Sequence, residues 1–141
     1  MEEITRKLIS DSVNARIFYS PENSLIIIEL KDIDMIDEMS YKRNALALLD
    51  FIREKNIKKL IFNTLKLKTI FTIHLQKWIA KNINQHLLKI MDKVAIIEPE
   101  DPITHLSLQL YVEESNKFGP QAQERFFTNE KDALEWLLEK D

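Results

Sequence analysis

Ala15-Arg-Ile-Phe-Tyr-Ser-Pro-Glu-Asn-Ser-Leu-Ile-Ile-Ile-Glu-Leu30 is the stretch on which the fold turns. Ala15–Tyr19 is rich in β-forming residues, Ser20–Ser24 carries turn chemistry, and Leu25–Leu30 is β-branched and apolar. Together they read as a β-hairpin. A strand with one wet face alternates apolar and polar residues. Ile26-Ile27-Ile28 does not, so the second strand is predicted to be covered on both faces and central in its sheet.

Downstream the pattern changes period. Asp34 or Asp37 can cap a helix running to about Lys55, with Met39, Ala45, Leu46, Leu48, Leu49 and Ile52 at helical spacing and Asn56 as its stop. Lys59–Asn63 (KLIFN) is a short strand. A helix from about Thr72 to Met91 carries the stripe Leu75, Trp78, Ile79, Ile83, Leu87 and Ile90. KVAIIEP is a further strand, ended by Pro99. Asp101 precedes Pro102 as an N-cap precedes a first-turn proline. Gly119 and Pro120 are placed where a helix from Pro102 would end, with Leu106 and Leu110 on one of its faces; the alternation in SLQLYV equally allows an irregular segment. ERFFT is a last strand, and Asn129 caps a closing helix that buries Ala133, Leu134, Trp136, Leu137 and Leu138.

The order ββαβαβαβα predicts an α/β fold: a mixed sheet of four to five strands, parallel after its opening hairpin, with about four helices. At 141 residues the chain is expected to form a single domain, 1–141, with residues 1–10 a flexible tail or an edge strand.

Composition narrows the function. One glycine, Gly119, leaves no GxGxxG or Walker loop, because both need glycines for close backbone approach to phosphate. There is no cysteine, hence no disulfide framework and no thiolate nucleophile. His74, His86 and His105 form no HxxxH or HExxH pair, and no serine lies in a GxSxG elbow. Glu98, Glu100 and Asp101 follow a strand end, where an acid pair could do acid–base work, but the helix dipole and solvation account for them equally well. The chain is therefore expected not to be an enzyme and to need no metal or cofactor. No run of 18 apolar residues is present, and MEEITRKLIS has no apolar signal core, so a cytoplasmic protein is expected.

The net charge of −3 is unevenly spread. Residues 55–93 hold nine lysines and one acid, Asp92, while the remainder carries an excess of eleven acids. Part of this basic segment, Asn63-Thr-Leu-Lys-Leu-Lys-Thr-Ile-Phe-Thr-Ile-His-Leu-Gln-Lys-Trp78, leaves a strand end and enters a helix. Lys66 and Lys68 there are candidate contacts for an acidic partner. Arginine is scarce and aromatics are not interleaved, so nucleic acid is not expected as a partner. Trp78 lies on the apolar stripe, first as core and second as a pocket wall.

LIFNTLKLKTIFTIHLQKWIA (60–80) and RFFTNEKDALEWL (125–137), following an opening hairpin, resemble the STAS-like proteins, whose best-known members are bacterial anti-sigma-factor antagonists. The likeness is closest to small stand-alone members and runs along nearly the whole chain. It implies a regulatory, protein-binding module whose recognition face is the loop after the strand Leu60–Asn63 and the start of the next helix. The antagonists carry Asp-Ser-Ser-Gly in that loop, with a phosphorylated serine. Here Asn63-Thr64-Leu65-Lys66 stands instead, which puts the phospho-switch in doubt. The expected contact set is Asn63, Thr64, Lys66, Lys68, Thr69, Thr72, His74 and Trp78. The alternative is a small lipid or apolar ligand held between helices and sheet. A homodimer through the opening hairpin or an apolar helix face is a further possibility.

Overall fold

The computed structural model describes residues 4–33, 35–69, 71–115 and 122–139. A six-stranded sheet runs in chain order, β1 (Lys7–Asp11), β2 (Ala15–Ser20), β3 (Leu25–Leu30), β4 (Lys59–Asn63), β5 (Lys93–Ile97) and β6 (Gln123–Phe127). β1–β2 and β2–β3 pair antiparallel, and β3 through β6 are parallel. This is the expected α/β class, with one strand more than the four to five predicted. The extra strand is β1, so residues 7–11 form an edge strand. Pro21–Asn23 makes a single 3-10 turn and Ser24 closes it at φ 51°.

α1 (Glu38–Lys55) joins β3 to β4. Asp37, not Asp34, caps it, accepting from the Ser40 amide at 3.1 Å; Asp34 lies outside the described residues. Asn56 ends it in the left-handed region at φ 52°. The crossover from β4 to β5 is one helical run in three parts, α2 (Ile73–Ile79), a π-helical segment (Ala80–Asn84) and α3 (Gln85–Ile90). α4 (Pro102–Ser115) precedes β6, and α5 (Glu130–Leu137) closes the chain. Asp101 and Asn129 are the caps the sequence indicates, accepting from the amides of Thr104 and Asp132 at 2.9 Å each. Gly119 and Pro120 lie outside the described residues.

Strands in strict chain order have a geometric consequence. Parallel crossovers are right-handed, and three of them advancing in the same direction place all three helical layers on one face. Ile26, Leu30, Leu60, Phe62, Val94 and Ile96 face that layer, packing with Leu49, Ile52, Leu75, Ile79, Ile83 and Leu87. The alternate residues Leu25, Ile27, Ile61, Ala95 and Ile97 point the other way, to Ala133, Trp136 and Leu137 of α5. β3 is buried on both faces, as its isoleucine run predicts.

Two expectations are corrected. Met39 and Leu46 belong to the predicted stripe of α1 but are 80% and 45% exposed. In α4 the buried positions among the described residues are Thr104, Leu108 and Val112, and Leu106 and Leu110 are exposed.

Leu137 is fully buried and belongs to the one helix on its side of the sheet among the described residues. Leu137→Ala should cost about 2–5 kcal/mol, read as a lower urea midpoint at unchanged m-value.

Candidate functional site

The C-terminal ends of β3, β4, β5 and β6 lie along one edge of the sheet, where α/β folds place their ligands. The loop after β4 is pinned there by its own polar side chains. The Asn63 Oδ1 accepts from the Leu65 amide at 3.0 Å, an Asx turn. Thr64 is fully buried, and both its amide (3.1 Å) and its hydroxyl (2.5 Å) donate to the Ile97 carbonyl. Leu67 and Phe71 are buried beneath the loop, and half-buried Thr69 lies against α4 residues Thr104 and Leu108. Thr72 caps α2, accepting from the Leu75 amide at 3.1 Å while its hydroxyl donates to Glu38 Oε1 at 3.3 Å.

Asn63, Thr64 and Thr72 therefore all hold the loop with their side-chain oxygens; Thr64 has no exposed surface, whereas Asn63 is half-buried and Thr72 exposed. Lys66 and His74 are exposed. Lys68 is exposed and sits 3.3 Å from Asp32, a surface pair weakened by solvent. Trp78 is half-buried, with the Lys42 ammonium 5.4 Å from its ring centroid, and is not among the residues lining the main cavity. The core reading of Trp78 fits better than the pocket-wall reading.

The basic segment does not form one surface. Lys58 and Lys59 are at the opposite end of β4, donating to the carbonyls of Ile90 and Asn23. Lys93 is buried beneath α5, its ammonium 2.9 Å from the Trp136 carbonyl and over the indole. Lys66 and Lys68 share their edge with Asp32, Glu38, Glu100 and Asp101.

Three edge residues were missed as contacts: Met35 and Met39, each 80% exposed, and Ile73, 71% exposed. The Thr72–Glu38 hydrogen bond ties the start of α2 to the first turn of α1, and Met39 and Ile73 each follow one of its partners in sequence. Ile103, 66% exposed, occupies the first turn of α4 along the same edge. Ile73 lies off the α2 stripe, which was the available signal. Met39 matches its stripe, so only the structure shows that the first turn of α1 overhangs the core.

Beside the β5 end, His105 Nε2 is 2.8 Å from Glu98 Oε2. Two donors from Thr104, backbone and side chain, hold the Asp101 carboxyl below the ordinary aspartate range. Asp101 is thereby committed to capping α4. Among the described residues no three acidic or histidine side chains converge as a metal set, and no helix is long and apolar enough to cross a membrane.

A second feature lies between the sheet and its helical layer, a cavity of about 80 Å³. Its walls are apolar apart from Tyr41, Asn84 and Glu124. Register carries Glu124 there. It pairs with Val94 on β5, so like Val94 it faces the helices, and it is the one carboxylate that β2–β6 turn to that side. Burial pushes the Glu124 carboxyl above its ordinary value of 4.5, and no hydrogen bond or ion pair to it occurs among the described residues. Nothing in QERFF alone signals this, because the inward parity of β6 is set only by pairing with β5.

Because the folded-state value is raised, the protonated form folds more favourably. Stability from this group is complete at low pH and is lost as pH rises through its folded value. Glu124→Gln should thus raise Tm near neutrality, with the gain vanishing below pH 4.5, read by thermal melts across that range. Among known proteins, no protein family, no curated protein and no solved structure matches the chain significantly.

Proposed function

We propose that this protein is a non-catalytic, STAS-like interaction module that binds a partner protein at the C-terminal edge of its sheet, through the loop at 63–72 and the start of α2. The observation that carries the reading is the exposed apolar group at that edge. Met39 in the first turn of α1, Ile73 at the start of α2 and Met35 in the loop before α1 are all strongly exposed there, and the Thr72–Glu38 hydrogen bond links the two helix starts. Large exposed apolar side chains along one edge are what partner surfaces use as anchors. The loop beneath them is pinned to β5 through Thr64, so the surface is preorganised and little ordering entropy opposes binding.

Lys66 and Lys68 flank this group and favour an acidic contact on the partner. Neighbouring acids dilute their field, so they act on encounter rate and orientation more than on affinity. The partner's contact is accordingly apolar at its centre and acidic at its margin. The loop Asn63-Thr64-Leu65-Lys66 lacks the aspartate, serine and glycine of the antagonists' switch loop, and its one hydroxyl, Thr64, is buried. Regulation by phosphorylation of this loop is not part of the reading.

The test is quantitative binding to a partner captured from the source cells, identified and purified. Met39→Asp with Ile73→Asp should weaken its Kd at least about tenfold, because desolvated apolar anchors carry most interface energy. Both positions are exposed, so Tm should stay within a few degrees. Lys66→Glu with Lys68→Glu should mainly slow association and flatten its salt dependence. Unchanged affinity in the Met39/Ile73 variant would overturn the proposal.

A further inference from the structure

The cavity behind the sheet is separate from the edge, and its chemistry is specific enough to name a ligand class. Its 80 Å³ far exceeds the roughly 10–15 Å³ that admits one water. A second void of about 50 Å³ shares Ile28, Tyr41, Ala45 and Leu48 with it. Tyr41, Ala45 and Leu48 of α1 are only partly buried although they point at the sheet. The first half of α1 therefore stands off the strands, and the two spaces adjoin beneath it.

The π-helical segment packs beside α1 and forms an adjoining wall. Ala80–Asn84 contributes Ile83 and Asn84 to the lining. A π turn widens the helix by one residue, and such segments are frequent at functional positions. The walls are apolar apart from Tyr41, Asn84 and Glu124, so most of the space suits an apolar guest and its polar end a hydrogen-bonding one.

Glu124 distinguishes this cavity from loose packing. Tyr41 and Asn84 both have interactions of their own. The Glu124 carboxyl has none among the described residues, and it shares the lining with Val112 of α4. The carboxyl is half-buried with its oxygens still reaching solvent, so the partial desolvation it suffers would be offset by a hydrogen-bond donor placed against it. We propose that the cavity binds a medium-length aliphatic molecule whose hydrogen-bond-donating head, an ammonium or hydroxyl, sets against Glu124 while its chain lies between α1, the π segment and the sheet. A carboxylate-headed chain of the same length is disfavoured, because it would bring a second acid to an unpaired one.

The test uses octylamine, octanol and octanoate as probes on the full chain, followed by calorimetry and by methyl chemical shifts. Octylamine and octanol should bind and shift the methyls of Ile28, Leu48 and Val112, and octanoate should bind at least about tenfold more weakly. Glu124→Gln should remove the preference for amine over octanoate while still binding octanol. Val112→Phe fills the cavity end and should weaken all three probes; Ala45→Leu, on a different wall, should do the same if Val112→Phe does not fold. Met39→Asp with Ile73→Asp should leave probe binding unchanged, which separates this site from the partner edge. The proposal is overturned if none of the probes binds, if octanoate binds as tightly as octylamine, or if the Glu124→Gln variant keeps the wild-type preference.

Discussion

The strict chain order of the sheet governs everything else in the molecule. With β3 to β6 laid side by side in sequence, right-handed crossovers put α1, the α2–α3 run and α4 on one face. The opposite face is left to α5, whose Ala133, Trp136 and Leu137 cover Ile61, Ala95 and Ile97. The same order lines up the strand ends and their loops along one edge, where α/β sheets place ligands. Position of the edge site and position of the cavity are two consequences of one constraint.

The two faces differ in quality of packing, and the reason is visible in the elements that cover them. α5 lies on small or fully buried residues, and Lys93 beneath it is satisfied by the Trp136 carbonyl and ring. On the other side three helical layers must share one sheet. α1 stands off along Tyr41, Ala45 and Leu48, and the middle crossover includes a π segment. Space remains between them, and the one strand residue there that is not apolar or aromatic is a carboxylate on the last strand. Interiors are normally packed to crystal density, so a space of this size beside a half-buried acid departs from that rule.

Much of this architecture was legible from residue pattern. The isoleucine run of β3 announced a central strand, and Asp37, Asp101 and Asn129 marked helix starts because short polar side chains satisfy first-turn amides. The STAS-like resemblance directed attention to the loop after β4. It did not reveal that Thr64 is consumed by the Ile97 carbonyl, since that hydroxyl's partner is 33 residues away in sequence. Helical periodicity gave the direction of Met39 but not its burial, which depends on how far α1 overhangs the sheet. The lysine-rich segment read as one field because sequence proximity stood in for spatial proximity. Folding sent Lys58 and Lys59 to one end of β4, Lys66 and Lys68 to the other, and Lys93 under α5. Glu124 was invisible for a similar reason, because the face an edge strand turns inward is decided by register with its neighbour.

The sheet's helix-facing side ends in a half-buried carboxyl, Glu124, with no protein partner among the described residues, against a largely apolar cavity. The most direct measurement is the ionisation of that group, followed by the carbon-13 shift of the Glu124 carboxyl during a pH titration of the intact chain. The account predicts a midpoint above the ordinary glutamate value of 4.5, returning toward it when an amine-headed probe is bound. A midpoint at or below that value in the free protein would mean that Glu124 is solvated or paired, and would contradict the account.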